Sequence, residues 1–214
     1  MRRACTLLTA LIATTVFVGA QGARPASPTG SSATQVGGEW TKTKDAQGKE
    51  VERYQGGKWI EITYGRPILK GRKNIFGSGA DYGKTVNAGA PVWRAGANVS
   101  TRLKTEVPLE IGGKTVPAGE YSVFIDLKEN NWTLILSSWP AQEKYDPSNK
   151  AALWGAYNYT PDKDVARVPM AVQKVNVSVE QLAWTFVDMT KNAGKLALVW
   201  DNVMGIAPFT VAAQ

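Results

Sequence analysis

Apolar and polar residues alternate along much of this chain, and that period of two is what most narrows its fold. In EYSVFIDL, Tyr121, Val123, Ile125 and Leu127 fall on one face, with Ser122, Phe124 and Asp126 on the other. In KWIEITY, Ile60, Ile62 and Tyr64 alternate with Trp59, Glu61 and Thr63. Successive side chains of a strand point to opposite faces, so each stretch predicts a strand. NNWTLILS follows the first after a short polar turn, which predicts a hairpin over residues 120–137. LAWTFVDM and KLALVWDNV flank TKNAG and predict a second hairpin. KDVARVPMAVQKV predicts a further strand, with Pro169 placing it at an edge or a bulge. Glycine pairs at 37–38, 56–57 and 112–113 mark turns. No helical stripe exceeds about two turns, the nearest being SNKAALWG. The expected fold is all-β, an antiparallel β-sandwich or jelly-roll-like barrel in a single domain.

The N-terminal stretch reads differently. Arg2 and Arg3 precede an apolar run from Leu7 to Val18, and Val18, Gly19 and Ala20 are small enough for signal peptidase. The run is shorter than the roughly 20 residues a membrane helix needs. Residues 1–20 are therefore expected to be a cleaved signal peptide, the product being exported to a periplasmic or extracellular setting without stable membrane insertion. Cys5, the single cysteine, would leave with it. Residues 21–38 are rich in Pro, Ser, Thr and Gly and read as a flexible leader. The domain is expected over 39–214.

Composition excludes several chemistries. The chain has no histidine, so it lacks the usual general base and the commonest zinc ligand. Without His, and with Cys5 in the signal, Ser-His-Asp, Cys-His and thiolate-zinc sites are out of reach. No cofactor or metal is expected. The net charge of +7 is dispersed among acidic residues, with no basic block to follow a phosphate backbone, so nucleic acid is not an expected partner. GSGADYGKT imitates a phosphate loop, but Gly77 and Gly79 stand at the wrong distances from Gly83-Lys84-Thr85. Carboxylates are plentiful, yet no spacing singles out the pair that a glycosidase needs.

Three polar segments remain. YGRPILKGRKNIFG supplies Arg66, Lys70, Arg72 and Lys73 just after a strand, and VWRAGANVSTRL supplies Arg94, Asn98 and Thr101. WGAYNYTPDKDVARV supplies Trp154, Tyr157, Tyr159, Asp164 and Arg167. If these loops meet at one end of the sandwich, they form an aromatic-walled pocket with guanidinium and amide donors. It would suit a carboxylate, a phosphate or the hydroxyls of a sugar. The alternative is structural: Arg94 pairs with Asp164 or another carboxylate, Asn98 closes a turn, and the tryptophans fill core.

These blocks, together with IGGKTVPAGEYSVF and NNWTLIL, occur in an order that resembles the bacterial exported "domain of unknown function 2911" family, over about residues 59–204. The resemblance implies a β-rich envelope or secreted protein without an assigned activity. Its signature positions are Arg66, Lys70, Arg72, Arg94, Asn98, Thr101, Trp154, Tyr159, Asp164 and Arg167. TVNAGAP stands as an insertion, and the segment before Trp59 is longer than the family pattern. The leading functional reading is a non-catalytic module that binds a small polar or anionic ligand, a glycan among the options. A carbohydrate hydrolase or lyase working through carboxylates or Tyr/Lys is the second, and an envelope structural or interaction module the third.

Overall fold

The computed structural model describes residues 25–212. The expected signal peptide, Cys5 and the first residues of the leader lie outside the described residues. Among the described residues, strands make up 55% and helix 5%. In chain order the strands are β1 (Thr29–Val36), β2 (Glu39–Lys44), β3 (Glu50–Gln55), β4 (Lys58–Gly65), β5 (Thr101–Thr105) and β6 (Leu109–Ile111). They continue with β7 (Lys114–Val116), β8 (Gly119–Lys128), β9 (Asn131–Ser137), β10 (Asp164–Val187) and β11 (Ala193–Val211). A short α-helix, α1 (Lys84–Asn87), falls largely in the segment expected to be an insertion, and two 3-10 turns stand at Gly79–Asp81 and Pro161–Lys163.

Nine strands form one antiparallel sheet in the order β1-β4-β5-β8-β9-β10-β11-β6-β7, and β2 pairs with β3 alone. Both ends of that order stay unpaired, so the jelly-roll-like barrel is set aside for an open, sandwich-like sheet. The sheet folds over because β10 and β11 are long enough to serve both layers. The first part of β10, Asp164 to Met170, pairs with β9, and the part from Ala171 pairs with β11 across two register shifts. Pro169 lies where β10 is paired on the β9 side. Farther along, β10 returns over β1 and β4: the Ser32 hydroxyl donates to the Trp184 carbonyl at 2.6 Å, and the Tyr64 hydroxyl to the same oxygen at 3.3 Å.

The leader expectation needs correction. Residues 29–36 are not a flexible tether but the edge strand β1, in register with β4 from Thr29↔Gly65 to Val36↔Lys58. Backbone pairing supplies what its small side chains cannot, and Val36 is fully buried at its end. The chain then bends at the 37–38 and 56–57 glycine pairs, so β1-β2 and β3-β4 form one kinked ribbon.

Alternation on β8 and β9 creates two apolar faces. Val123, Ile125, Leu134 and Leu136 join the main core, whose centre is a cluster of Phe76, Trp93, Trp132 and Trp200. On the reverse face Phe124 and Ile135 meet Val92, Leu153, Ala156 and Tyr159. The 138–163 connection therefore lies as a roof over the outside of the sheet. SNKAALWG, within that roof, is irregular rather than helical.

Candidate functional site

WRAGANVST forms the corner beneath this roof. Trp93 exchanges two backbone hydrogen bonds with Ile125, each 2.8 Å, which ties the segment to β8. The chain then turns through Ala95 (φ 52°) and Asn98 (φ 63°), both left-handed. Such values are uncommon outside glycine and persist only where surroundings impose them. Here the Ala95 carbonyl accepts from the Thr101 hydroxyl at 3.2 Å and from the Trp184 indole N–H at 2.9 Å. A side chain on Gly65 would collide with the Ala97 carbonyl, and one on Gly96 would come within 3.0 Å of the Gly65 carbonyl. The Ser100 hydroxyl lies 2.6 Å from the Gly155 carbonyl and 3.3 Å from that of Leu153, so it holds the roof down.

The three polar segments thus meet, but their residues divide. Thr101 is fully buried and fastens the turn. Asn98 is exposed and reaches the Ser27 carbonyl at 3.4 Å rather than closing a turn on itself. Arg66 and Arg94 each have a buried Nε without a hydrogen-bond partner. Neither enters an ion pair among the described residues.

The suggested Arg94–Asp164 pair does not form. Asp164 instead accepts from Arg167 Nη1 at 2.9 Å and from the Tyr159 hydroxyl at 2.6 Å, and Arg167 Nη2 reaches Asp126 at 3.1 Å. With the Asp164 side chain 6% exposed, Tyr159, Asp164 and Arg167 form a network beside the roof through Asp164 Oδ2, while Asp164 Oδ1 is buried without a partner among the described residues. Burial, reinforced by the hydrogen bond and negative charge of Asp164, pushes the Tyr159 hydroxyl well above the usual phenol range. Lys70 and Arg72 turn toward β10 and β11. The Lys70 backbone N–H donates to the Glu180 carboxylate, and the Lys70 side chain is exposed. Arg72 donates to the carbonyls of Ile68 and Leu69, with its guanidinium 5.6 Å from the Trp200 ring centre.

Arg94 leads to a cleft in the roof. Its guanidinium carbon stands 5.9 Å from the centre of the Tyr157 ring, and a side chain on Gly155 would come within 2.6 Å of Nη1. Tyr157 and Trp154 wall a cleft of about 380 Å³ together with Tyr145, Lys150 and Asn158. Tyr145 packs on Trp154 with ring centres 5.7 Å apart. Tyr145 is 58% and Tyr157 44% exposed, which leaves aromatic surface open to solvent. Gln142 sets the shape of this loop. Its side-chain nitrogen lies 2.9–3.1 Å from the carbonyls of Asp146, Asn149 and Ala152, and its oxygen accepts from the Asp146 N–H. Gln142, Tyr145 and Lys150 escape the reading of the sequence; the only sign of them is an aromatic residue within the polar run QEKYDPSNK.

A larger cleft of about 520 Å³ lies between the 73–82 loop, the β8–β9 turn and the β10–β11 bulges, and of the basic residues singled out in the sequence it takes in Lys73. Its carboxylates are already engaged, Glu129 by the Gly79 N–H and Asp201 by the Ser178 hydroxyl. Among the described residues no cluster of three or more acidic side chains could hold a metal ion. None of their helices is long and apolar enough to cross a membrane.

A family model described as a protein of unknown function (DUF2911) matches residues 46–209. The chain belongs to that family. The DUF2911 match takes in β3, the strands from β4 to most of β11, the corner and the roof, and begins earlier than residue 59. Neither the curated proteins nor the solved structures contain a match.

Proposed function

We propose that this protein is an exported, non-catalytic β-sandwich module that binds a small polar or anionic ligand at the Arg94 corner. The carrying observation is Arg94 itself. A half-buried guanidinium beside Gly155 and Tyr157, without a carboxylate partner among the described residues, leaves a planar cation uncompensated next to a tyrosine that walls the aromatic cleft. Lys150 adds positive charge to the same cleft, and Arg66 lies behind the same corner. Export is supported by the charged and apolar pattern of residues 1–20.

The enzymatic alternative has less behind it. Tyr159, the phenol a lyase would use as base, is held protonated and donates to Asp164.

The test compares wild type with Arg94→Met by thermal melting and by calorimetric titration with inorganic phosphate and citrate. Binding of either anion by wild type and its loss in the variant, with melting temperature unchanged or higher, is the expected result. A fall matching the roughly 3–5 kcal/mol of a broken buried pair would make Arg94 a structural residue and overturn the reading.

A further inference from the structure

The roof loop carries a surface that makes no use of the Arg94 guanidinium. Tyr145, Trp154 and Tyr157 wall the cleft of about 380 Å³ over residues 142–158, and Arg94 is not among the residues that line it. Tyr145 and Tyr157 are two of the few large apolar side chains that the described residues leave exposed. Open ring faces of this kind gain free energy when a ligand with an apolar face covers them. The rings are also held in place beforehand. Tyr145 packs on Trp154, and Gln142 fixes the loop through the carbonyls of Asp146, Asn149 and Ala152. A preformed wall spares a ligand the cost of ordering it.

The polar groups of the cleft narrow the ligand further. Asp146 spends Oδ1 on the Ser148 N–H and hydroxyl, which leaves Oδ2 to accept. Asn149 spends its side-chain oxygen on the Ala151 N–H, which leaves its amide nitrogen to donate. Lys150 gives one N–H to the Pro147 carbonyl and keeps two. Acceptors and donors share one cleft, and the charges of Asp146 and Lys150 oppose each other there. An anion would meet Asp146, and a cation would meet Lys150. A hydroxyl both donates and accepts, so a cluster of hydroxyls without net charge satisfies both sets.

We infer that this cleft binds a neutral saccharide, one or two pyranose rings laid against the tyrosine and tryptophan faces. The axial C–H face of such a ring is flat and apolar, as stacking on an aromatic side chain requires. Its equatorial hydroxyls project sideways and suit the mixed partners that Asp146, Asn149 and Lys150 supply. The volume lies within the usual range for small-ligand sites. This site goes beyond the Arg94 corner, since none of its contacts needs the guanidinium.

The experiment is a calorimetric titration of the protein with cellobiose and maltose, two neutral disaccharides that differ in linkage. Cellobiouronate (a disaccharide of the same linkage with one ring carboxylate), choline and inorganic phosphate are titrated beside them. At least one neutral disaccharide should bind wild type, about threefold or more tighter than cellobiouronate or choline. Tyr157→Ala should weaken it by about tenfold, and Tyr157→Phe, which keeps the ring, should stay within about twofold of wild type. Tyr145→Ala, at the second exposed ring, gives an independent reading with a loss of about threefold.

If neither neutral disaccharide binds, or if binding ignores both tyrosine truncations, the saccharide site is overturned. If cellobiouronate or choline binds as tightly, the requirement for a neutral ligand is overturned. Phosphate reports the Arg94 corner separately. Phosphate bound without either disaccharide removes the saccharide site and leaves the anion reading, and the reverse result removes the anion reading alone.

Discussion

The Ala95 carbonyl accepts hydrogen bonds from Thr101 and Trp184, residues that reach it from two different strands. A buried hydroxyl-to-carbonyl bond contributes about 1 kcal/mol net. Thr101→Val should therefore lower stability by about that amount, measured by urea titration, with Trp184 still holding the carbonyl. Tyr159 makes a different prediction. Its folded value is raised, so its contribution is fully present below the unfolded phenol value near 10 and is lost as pH climbs through the higher folded value. Stability followed from pH 8 upward should fall on the alkaline side in wild type and fall less in Tyr159→Phe. An identical alkaline limb in both proteins would remove Tyr159 as its source. At this scale the sequence displayed the right residue types but not their partners. Asp164 or another carboxylate could have faced Arg94 on paper, but Asp164 is taken by Arg167, three residues farther along β10 and past a register shift at Ala166.

The elements with apolar alternation were legible: both hairpins formed from the predicted stretches, and KWIEITY became β4. β1 was not, because TGSSATQV carries almost no large apolar side chain and is held by main-chain pairing with β4. Such support comes from residues some 30 positions away and leaves no local trace. The close approach of β4 to the corner was equally hidden, although Gly65 itself was in view. Gly65→Ala would drive a methyl group into the Ala97 carbonyl. Overpacking of this kind should cost about 3 kcal/mol, lowering the melting temperature by roughly 6–12 °C for a domain of this size. Gly71→Ala, where nothing lies within 4 Å of the added carbon, tests its left-handed backbone alone and should cost about 1 kcal/mol.

In the whole molecule, β8 and β9 belong to both apolar clusters at once, through alternate residues. The roof has no separate foundation. Near-ultraviolet and far-ultraviolet circular dichroism should accordingly report one coincident thermal transition, and Phe124→Ala, in the outer cluster, should lower both signals together. A roof signal that melts well before the sheet would contradict this. The overall class was legible because alternation is a local property. The open edges at β1 and β7, and the passage of β10 through both layers, depend on contacts between distant residues.

The roof is fastened largely through its main chain. Ser100 reaches the carbonyls of Leu153 and Gly155, the Trp139 indole N–H donates to the carbonyl of Thr160, and Gln142 gathers three more carbonyls. Anchors of that kind are indifferent to which side chains the intervening residues carry. Tyr145, Lys150 and Tyr157 can therefore be exchanged by mutation with little penalty to folding, much as an antibody loop varies upon a constant frame. Relatives that share this architecture are free to diverge in what they recognise, and a library randomised at those three positions would be a natural starting point for engineering new binders.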